Sequence, residues 1–275
     1  MKFTLAAFAD EADNRLEGQI AAMQRNGVDG LEIRGVDGEN IADISCEKAK
    51  EIRKRLDDAG LSVWSLGSPY GKSKIEDDFA PQFDRFRHGL ELAEILGTDH
   101  IRIFSFFIPK DKAPENYRNE VLERLAKFAE EAKKVGVLLC HENEKGIYGD
   151  IAPRCAEIHA ALPEIRAVFD PANYIQCGQD TVEAWGMLAP YIEYMHIKDA
   201  MADGFVVPAG EGIGQLPYLL SQYKGKVLSV EPHLTVFDGL DSLEPDQKTK
   251  INVHFFPSKA DAFDAAVNSL KALIQ

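Results

Sequence analysis

The sequence predicts an α/β fold, a closed (β/α)8 or TIM barrel, on three observations. Its 275 residues contain eight short apolar runs rich in Val, Ile and Phe. Segments with the apolar spacing of amphipathic helices lie between many of these runs. Eight strand–helix units of roughly thirty residues suit a barrel, because most doubly wound open sheets stop at about five or six strands. We expect one domain spanning residues 1–275, with an open sheet as the alternative.

The predicted strands are spread along the whole chain. Each is an apolar run bounded by Gly, Pro or Asp, the pattern expected of buried strands. In order, they cover residues 2–9, 30–34, 61–67, 100–106, 137–143, 167–170, 194–198 and 227–231. Strands that alternate with helices predict a parallel sheet.

The predicted helices fill connections between the strands. Apolar residues recur at helical spacing over residues 15–26, 46–59, 79–96, 115–134, 181–188 and 259–274. Four of these segments are followed by a glycine, where helices commonly end: Gly27, Gly60, Gly97 and Gly136. The longest irregular stretch, residues 237–256, follows the eighth strand, and a loop of that length is more typical of a functional lid than of a plain connection.

Composition and charge limit the partners of the protein. A formal net charge of −14 opposes nucleic acid and anionic membrane surfaces, which usually require a basic face, so we expect neither as a partner. The short N-terminal apolar run is followed directly by Asp10, Glu11 and Asp13, which is unlike a signal peptide. The four cysteines are widely spaced and form no CxxC pair, which favours reduced thiols and a cytoplasmic location. Small molecules and metal cations are the expected ligands.

Polar residues at the carboxyl ends of the last four strands share one face. Successive strand residues point to opposite faces, and one face of each of these strands is wholly apolar. The other face ends in Glu142, Asp170, His196 and Glu231. In a barrel, these side chains would meet at the C-terminal mouth, where such folds place their chemistry. The alternative, a helix cap or loop residue, explains any single position better than it explains four in the same phase.

Three carboxylates and an imidazole gathered in this way would require a cation among them. Without one, the like charges would repel each other in a partly desolvated site. We therefore expect one divalent metal ion. Mostly oxygen ligands with one nitrogen suit Mn²⁺, Mg²⁺ or Co²⁺, and Zn²⁺ is also compatible.

Segments along essentially the whole chain resemble a known superfamily. The segments are HENEKGIYGD, FDPANYIQCG, MHIKDA with the later VPAGEG, LSVEPHL, FADEA near the start and SPYGK after the third strand. They resemble the sugar phosphate isomerase/epimerase superfamily of xylose isomerase-like TIM barrels, which includes tagatose 3-epimerases, hydroxypyruvate isomerases, inosose dehydratases and the endonuclease IV type of DNA repair enzyme. The resemblance implies the barrel and a metal site, but it does not specify the substrate.

The resemblance also implies roles for the four polar residues. The superfamily's metal ligands fall on Glu142, Asp170, His196 and Glu231, and the two glutamates would also act as catalytic acid and base. The expected activity is that of a sugar isomerase or epimerase acting on a small keto-sugar or polyol derivative. The chemistry needs a divalent ion because chelation of a carbonyl and its neighbouring hydroxyl acidifies the adjacent C–H and stabilises an enediolate.

Two positions depart from the tagatose epimerase pattern. Those enzymes have a histidine three residues after the metal aspartate and an arginine six residues after the metal histidine, where this chain has Asn173 and Ala202. An inosose dehydratase-like lyase is therefore the alternative function, and a barrel that binds a sugar acid without turnover is a further one. A DNA repair endonuclease would need a basic groove, which the net charge opposes. Superfamily members are often dimers or tetramers, so a homo-oligomer is compatible with the resemblance.

Several other residues are expected to contact the substrate. Lys198 lies on the inward face and would polarise a carbonyl, pair with a substrate carboxylate, or neutralise Asp199 or Glu231. Asn173, His233 and Trp64 are further predicted substrate contacts, although core packing is the alternative for a large aromatic residue.

Two features receive structural interpretations. Glu32 and Arg34 share the inward face of the second strand, so a substrate contact or an ion pair is open to them, and we favour the ion pair. The glycines of PAGEGIG, residues 208–214, match neither common phosphate-loop pattern, and we expect a flexible turn there.

Overall fold

Eight parallel strands close into a barrel in the computed structural model, which describes residues 3–237, 249–251 and 256–275. The strands are β1 (Thr4–Ala7), β2 (Gly30–Ile33), β3 (Ser62–Leu66), β4 (His100–Ile103), β5 (Leu138–Glu142), β6 (Arg166–Phe169), β7 (Ile192–Ile197) and β8 (Val227–Val230). Each strand pairs with the next along the chain, and β8 pairs with β1 to close the barrel. The predicted fold and the order of its strands are confirmed.

Helices pack around the barrel. They are α1 (Leu16–Arg25), α2 (Cys46–Asp58), α3 (Phe79–Leu96), α4 (Arg118–Lys134), α5 (Ala152–Ala161), α6 (Pro171–Gln176), α7 (Thr181–Leu188), α8 (Leu216–Gln222) and α9 (Lys259–Ile274). The sequence analysis did not predict α5, α6 and α8. Each of these has a proline in its first turn, where the missing N–H has no intrahelical partner, so proline there does not mark a loop. Throughout the described ranges, every helix is too short or too polar to cross a membrane.

The hydrophobic core has two layers, as strand alternation requires. Leu139, Phe169 and Leu228 point outward and pack with the helices in the larger layer. The inner layer fills the barrel and consists of Ala6, Cys140, Val168, Tyr194 and Val227, with Trp64 and Leu138 against it. The inward and outward faces predicted for β5 to β8 are the faces found.

Several strands end earlier than predicted. β4 ends at Ile103 rather than at Phe106, whose φ of 64° is left-handed and ends any extended conformation. Asp170, Lys198 and Glu231 likewise lie just past their strands, at the start of the loops that form the mouth. Residue 2 of the first predicted strand and most of the predicted lid at 237–256 lie outside the described residues.

Candidate metal centre

Four side chains converge at the C-terminal mouth of the barrel. Glu142 ends β5 and His196 lies in β7, whereas Asp170 and Glu231 directly follow β6 and β8. One ligand atom from each residue lies within 4.8 Å of the other three. All four residues are at most 4% exposed, so bulk water does not screen their charges. The structure brings together the four residues predicted as metal ligands.

The imidazole of His196 faces negative charge at both nitrogens. Nδ1 lies 3.3 Å from Oε1 of Glu142 and 3.5 Å from Oε2 of Glu231. Nε2 lies 3.0 Å from Oε2 of Glu32. Burial alone would lower the pKa of His196, but Glu32 and then Glu142 outweigh it and hold the pKa well above its usual value. The surroundings of the ring therefore favour a positive charge.

Glu32 anchors this ring from inside the barrel. Its carboxylate also accepts hydrogen bonds from the hydroxyls of Tyr194, at 2.6 Å, and Ser229, at 2.7 Å. The predicted ion pair between Glu32 and Arg34 is wrong. Arg34 lies past the end of β2, so its side chain reaches the acids of the loop after β1 instead.

Arg34 connects Glu231 to that loop. Its guanidinium forms a bidentate pair with Asp10, at 2.8 and 3.1 Å, and contacts Glu11 at 2.9 Å. A third nitrogen, Nη1, donates to Oε1 of Glu231 at 3.3 Å. These partners could not be identified from the sequence, because they lie 23 to 197 positions from Arg34 and no local pattern relates residues at such separations.

Lys198 lies at the cluster, as predicted. Its Nζ is 2.6 Å from Oε2 of Glu231 and 2.9 Å from Oδ2 of Asp170. Burial alone would lower the pKa of Lys198, yet Asp170 and Glu231 raise it well above its usual value. Burial would also raise the pKa of Glu231, but Lys198 and His233 hold it well below normal. The lysine therefore neutralises Glu231 rather than Asp199.

Asn173 holds two of the acids. Its backbone N–H donates to Oδ1 of Asp170 at 2.9 Å, so Asp170 caps α6 with one oxygen and faces the cluster with the other. The amide of Asn173 donates to Oε1 of Glu142 at 3.1 Å and to the Asn143 carbonyl at 2.9 Å. Asp170 is thus both the N-terminal cap of α6 and a member of the cluster.

Arg102 is a member of the site that the sequence analysis did not identify. Its Nη1 lies 3.1 Å from Oε2 of Glu142 and 3.8 Å from Oε1 of Glu231, and the residue is 2% exposed. A signal was available, because Ile101 and Ile103 are apolar and leave Arg102 on the inward face of β4.

A small cavity of about 10 Å³ opens among these groups. It is lined by Arg34, Lys72, Arg102, Glu142, Glu144, Glu231 and His233. His233 has a left-handed backbone, with φ of 46°, and its N–H donates to Oε2 of Glu11 at 2.6 Å. Lys72 pairs with Glu144 at 3.0 Å. His233 is therefore at the mouth, where the predicted substrate contact requires it.

Trp64 does not join this group. It belongs to the inner layer of the barrel, where it stacks on His100 at a centroid distance of 4.2 Å and meets Tyr194 edge-on. His100 is the first residue of β4, at the end of the barrel opposite the mouth. The predicted substrate contact by Trp64 is corrected to core packing.

The glycines of PAGEGIG wrap around an internal acid. Asp199 accepts hydrogen bonds from the backbone N–H groups of Gly210, Gly212 and Gly214, at 2.9 to 3.1 Å, and also from that of Ala200. A Cβ at Gly212 would lie 2.3 Å from Oδ1 of Asp199. The predicted turn is therefore held in place next to Lys198.

The donor set fits a divalent cation. Three buried ligand atoms make no hydrogen bond within the described part of the chain: His196 Nδ1, Glu142 Oε2 and Asp170 Oδ2. The two carboxylate oxygens form ion pairs, with Arg102 at 3.1 Å and Lys198 at 2.9 Å, respectively. The four residues and the ionic side chains that contact them include four carboxyl groups, on Glu32, Glu142, Asp170 and Glu231. Three cationic side chains oppose them, on Arg34, Arg102 and Lys198. The carboxyl groups outnumber these cations by one, and His196 Nδ1 makes no hydrogen bond, so both observations favour a metal ion.

Solved structures share this fold over nearly their whole length. A probable 3-DHS dehydratase from Bacillus anthracis superposes with a TM-score of 0.75 at 18% identity, covering 98% of this chain and 99% of that one. An L-ribulose 3-epimerase gives a TM-score of 0.74 at 19% identity, covering 100% and 95%. Two further structures at 15% identity, with TM-scores of 0.73 and 0.67, contain a zinc atom and magnesium, respectively. At these identities, the likeness shows the fold alone.

A curated relative and a family model extend the comparison. A 3-dehydroshikimate dehydratase from Bacillus anthracis is 22% identical over 176 residues, or 63% of this chain and 62% of the relative. The match thus spans less than two thirds of that enzyme. The model of the xylose isomerase-like TIM barrel matches residues 20–233, which include all four clustered residues. The chain belongs to the xylose isomerase-like TIM barrel family.

Proposed function

We propose that the protein is a divalent-metal-dependent isomerase or epimerase of a small keto-sugar or polyol derivative. The observation that carries the proposal is the convergence of Glu142, Asp170, His196 and Glu231 within 4.8 Å at the barrel mouth. Mn²⁺, Mg²⁺, Co²⁺ and Zn²⁺ all suit this donor set. Two epimerases, an L-ribulose 3-epimerase and a 3-keto-D-glucoside 4-epimerase, are among the proteins similar to this chain.

The chain supplies the acid and base for the reaction. When bound, the metal would polarise a substrate carbonyl and acidify the neighbouring C–H. Either Glu142 or Glu231 would take the carbon-bound proton onto a carboxylate oxygen. In an epimerisation, the other glutamate would return a proton to the opposite face of the same carbon, and in an isomerisation a proton would be returned to the neighbouring carbon. Asn173 and Arg102 hold Glu142 in position, while Arg34 and Lys198 hold Glu231.

Lyase chemistry is the second candidate, and Lys198 is the observation that favours it. Its ammonium group lies 2.6 Å from Glu231, so an acid and a base are adjacent. Glu231 would remove the proton beside the carbonyl. Lys198 would protonate the departing hydroxyl group, which leaves as water. The curated relative is itself a dehydratase, although the chain matches only part of it.

One experiment separates these reactions. Metal-reconstituted protein is incubated in D₂O with ketoses, keto-sugars, inososes and 3-dehydroshikimate, and products are followed by NMR and mass spectrometry. Deuterium at a carbon beside the carbonyl without loss of water supports the isomerase or epimerase. Loss of a water mass supports the lyase, and turnover of 3-dehydroshikimate alone would contradict the isomerase or epimerase. No metal-dependent change with any compound would overturn the proposal.

A pair of variants checks the assigned bases. Glu231→Gln removes a metal ligand and a proton acceptor together, so turnover should fall by at least about a hundredfold. Glu183→Gln, an exposed glutamate on α7, is the matched control and should retain wild-type turnover. Full activity in Glu231→Gln would contradict the role of that residue.

A further inference from the structure

A second group of metal-ligating side chains lies on the outside of the barrel, between α2 and α3. Cys46 is the first residue of α2, and His88 and Glu91 are three positions apart on α3. One ligand atom from each residue lies within 4.8 Å of the other two. Cys46 and His88 are half-buried, whereas Glu91 is exposed, so a cation could enter from solvent.

The imidazole of His88 is already oriented as a ligand. Its Nε2 lies 2.8 Å from the carbonyl oxygen of Ile44, which can only accept a hydrogen bond, so the proton resides on Nε2. Nδ1 then carries the lone pair in the neutral ring, and it lies 3.8 Å from Oε2 of Glu91. A backbone carbonyl that fixes the far nitrogen in this way is the usual support of a metal-binding histidine.

The spacing of the three atoms suits tetrahedral coordination. Sγ of Cys46 lies 3.9 Å from the same Oε2 of Glu91. Ligand atoms at about 2.0 to 2.3 Å from a tetrahedral Zn²⁺ are separated by about 3.3 to 3.8 Å. A small rotation of the exposed Glu91 side chain would bring its carboxylate closer to the other two ligand atoms, and a fourth position would remain for water.

We propose that Cys46, His88 and Glu91 form a second metal site, for a thiophilic divalent cation such as Zn²⁺, which links α2 to α3. Thiolate, imidazole and carboxylate together select Zn²⁺ over Mg²⁺ or Ca²⁺, which prefer oxygen ligands. Binding releases the proton of the Cys46 thiol, which at present donates to Glu91. The site is independent of the barrel mouth, whose four ligands include no sulfur.

Sulfur ligation gives this site its own spectroscopic signal. Full-length protein is titrated with Co²⁺ as a probe for Zn²⁺, and the near-ultraviolet thiolate-to-metal charge-transfer band is recorded. The wild type should show the band, Cys46→Ser should lose it, and the matched control Cys177→Ser should keep it. Native mass spectrometry should find one Zn²⁺ fewer on Cys46→Ser than on the control.

A second variant guards against misfolding of the first. Glu91 is exposed, so Glu91→Gln should fold normally, and its Zn²⁺ affinity at this site should fall at least about tenfold, since even the outer partners of metal ligands have effects of that size. Absence of a thiolate band from the wild type, or an equal band in Cys46→Ser, would overturn the proposal. Equal Zn²⁺ affinity in Glu91→Gln would remove that residue from the site.

Discussion

Oε2 of Glu32 lies 3.0 Å from Nε2 of His196, and neither side chain reaches solvent. The carboxylate accepts a hydrogen bond from Nε2–H of the imidazole, and Nδ1 is directed toward Glu142, Asp170 and Glu231. A carboxylate behind a metal-binding histidine fixes the ring and increases its basicity. Glu32 therefore controls the cluster without being one of its four members.

Replacement of Glu32 should weaken metal binding. Glu32→Gln keeps the shape but removes the negative charge behind His196, and metal affinity measured by calorimetry should fall about 10- to 100-fold. The control, Tyr194→Phe, removes one hydrogen bond to the same carboxylate and should have a much smaller effect. Unchanged affinity in Glu32→Gln would show that the ring is held by other contacts.

Loss of the buried guanidinium should cost far more stability than loss of an exposed one. Arg34→Met leaves Asp10, Glu11 and Glu231 without their shared cation, and the free energy of unfolding should fall by about 3 to 5 kcal/mol. Arg25 forms a similar bidentate pair with Asp264 at the surface, so Arg25→Met should cost about 1 kcal/mol or less. Urea denaturation of both variants measures the difference, and equal losses would contradict it.

Stability should decline in mild acid because of His159. Burial lowers the pKa of His159 from 6.5 to about 4, while its Nδ1 lies 3.0 Å from the Ile165 carbonyl. The unfolded chain binds this proton first as the pH falls below about 6.5, so stability is lost between pH 6.5 and about 4, by up to about 3 kcal/mol. Above pH 6.5 the group has no effect.

The variant His159→Gln isolates this contribution. Chemical denaturation at pH 7 and pH 5 gives the pH-dependent loss for each protein. The decrease in the free energy of unfolding between pH 7 and pH 5 should be smaller in His159→Gln than in the wild type, because the variant lacks the contribution of His159. Identical losses in both proteins would assign the acid sensitivity to other groups.

Replacement of Gly212 or Gly186 by alanine should change the stability of the protein in opposite directions. Gly212→Ala places a Cβ 2.3 Å from Oδ1 of Asp199, so the loop must move and the melting temperature should fall. A Cβ at Gly186, inside α7, meets no atom within 4 Å. Gly186→Ala should therefore stabilise the protein by about 0.5 to 1 kcal/mol. Scanning calorimetry compares the two, and a stabilised Gly212→Ala would contradict the packing described.

The barrel and its four central residues could be predicted because both depend on local periodicity. A period of two assigns a face to every residue of β5 to β8, and parallel strands bring equivalent ends together. The ion-pair partners could not be predicted. Arg34 pairs with Asp10 and Glu11 rather than with Glu32 because it lies in the loop after β2, and the path of that loop is not encoded in a local pattern. Trp64 was misplaced for a related reason, because alternation gives the face of a strand residue but not its depth in the barrel.

The carboxylate of Asp199 has a further consequence for the choice of substrate. The backbone N–H groups of alternate glycines in this loop form an anion-binding site. The anion that occupies it is the Asp199 carboxylate, which belongs to the same chain and lies eleven residues before Gly210. Because it is part of the chain, the Asp199 carboxylate has an effective concentration at this site that free phosphate esters cannot match in the cell. Asp199 therefore occupies these N–H groups, and a phosphorylated sugar would gain no affinity from them over the unphosphorylated sugar.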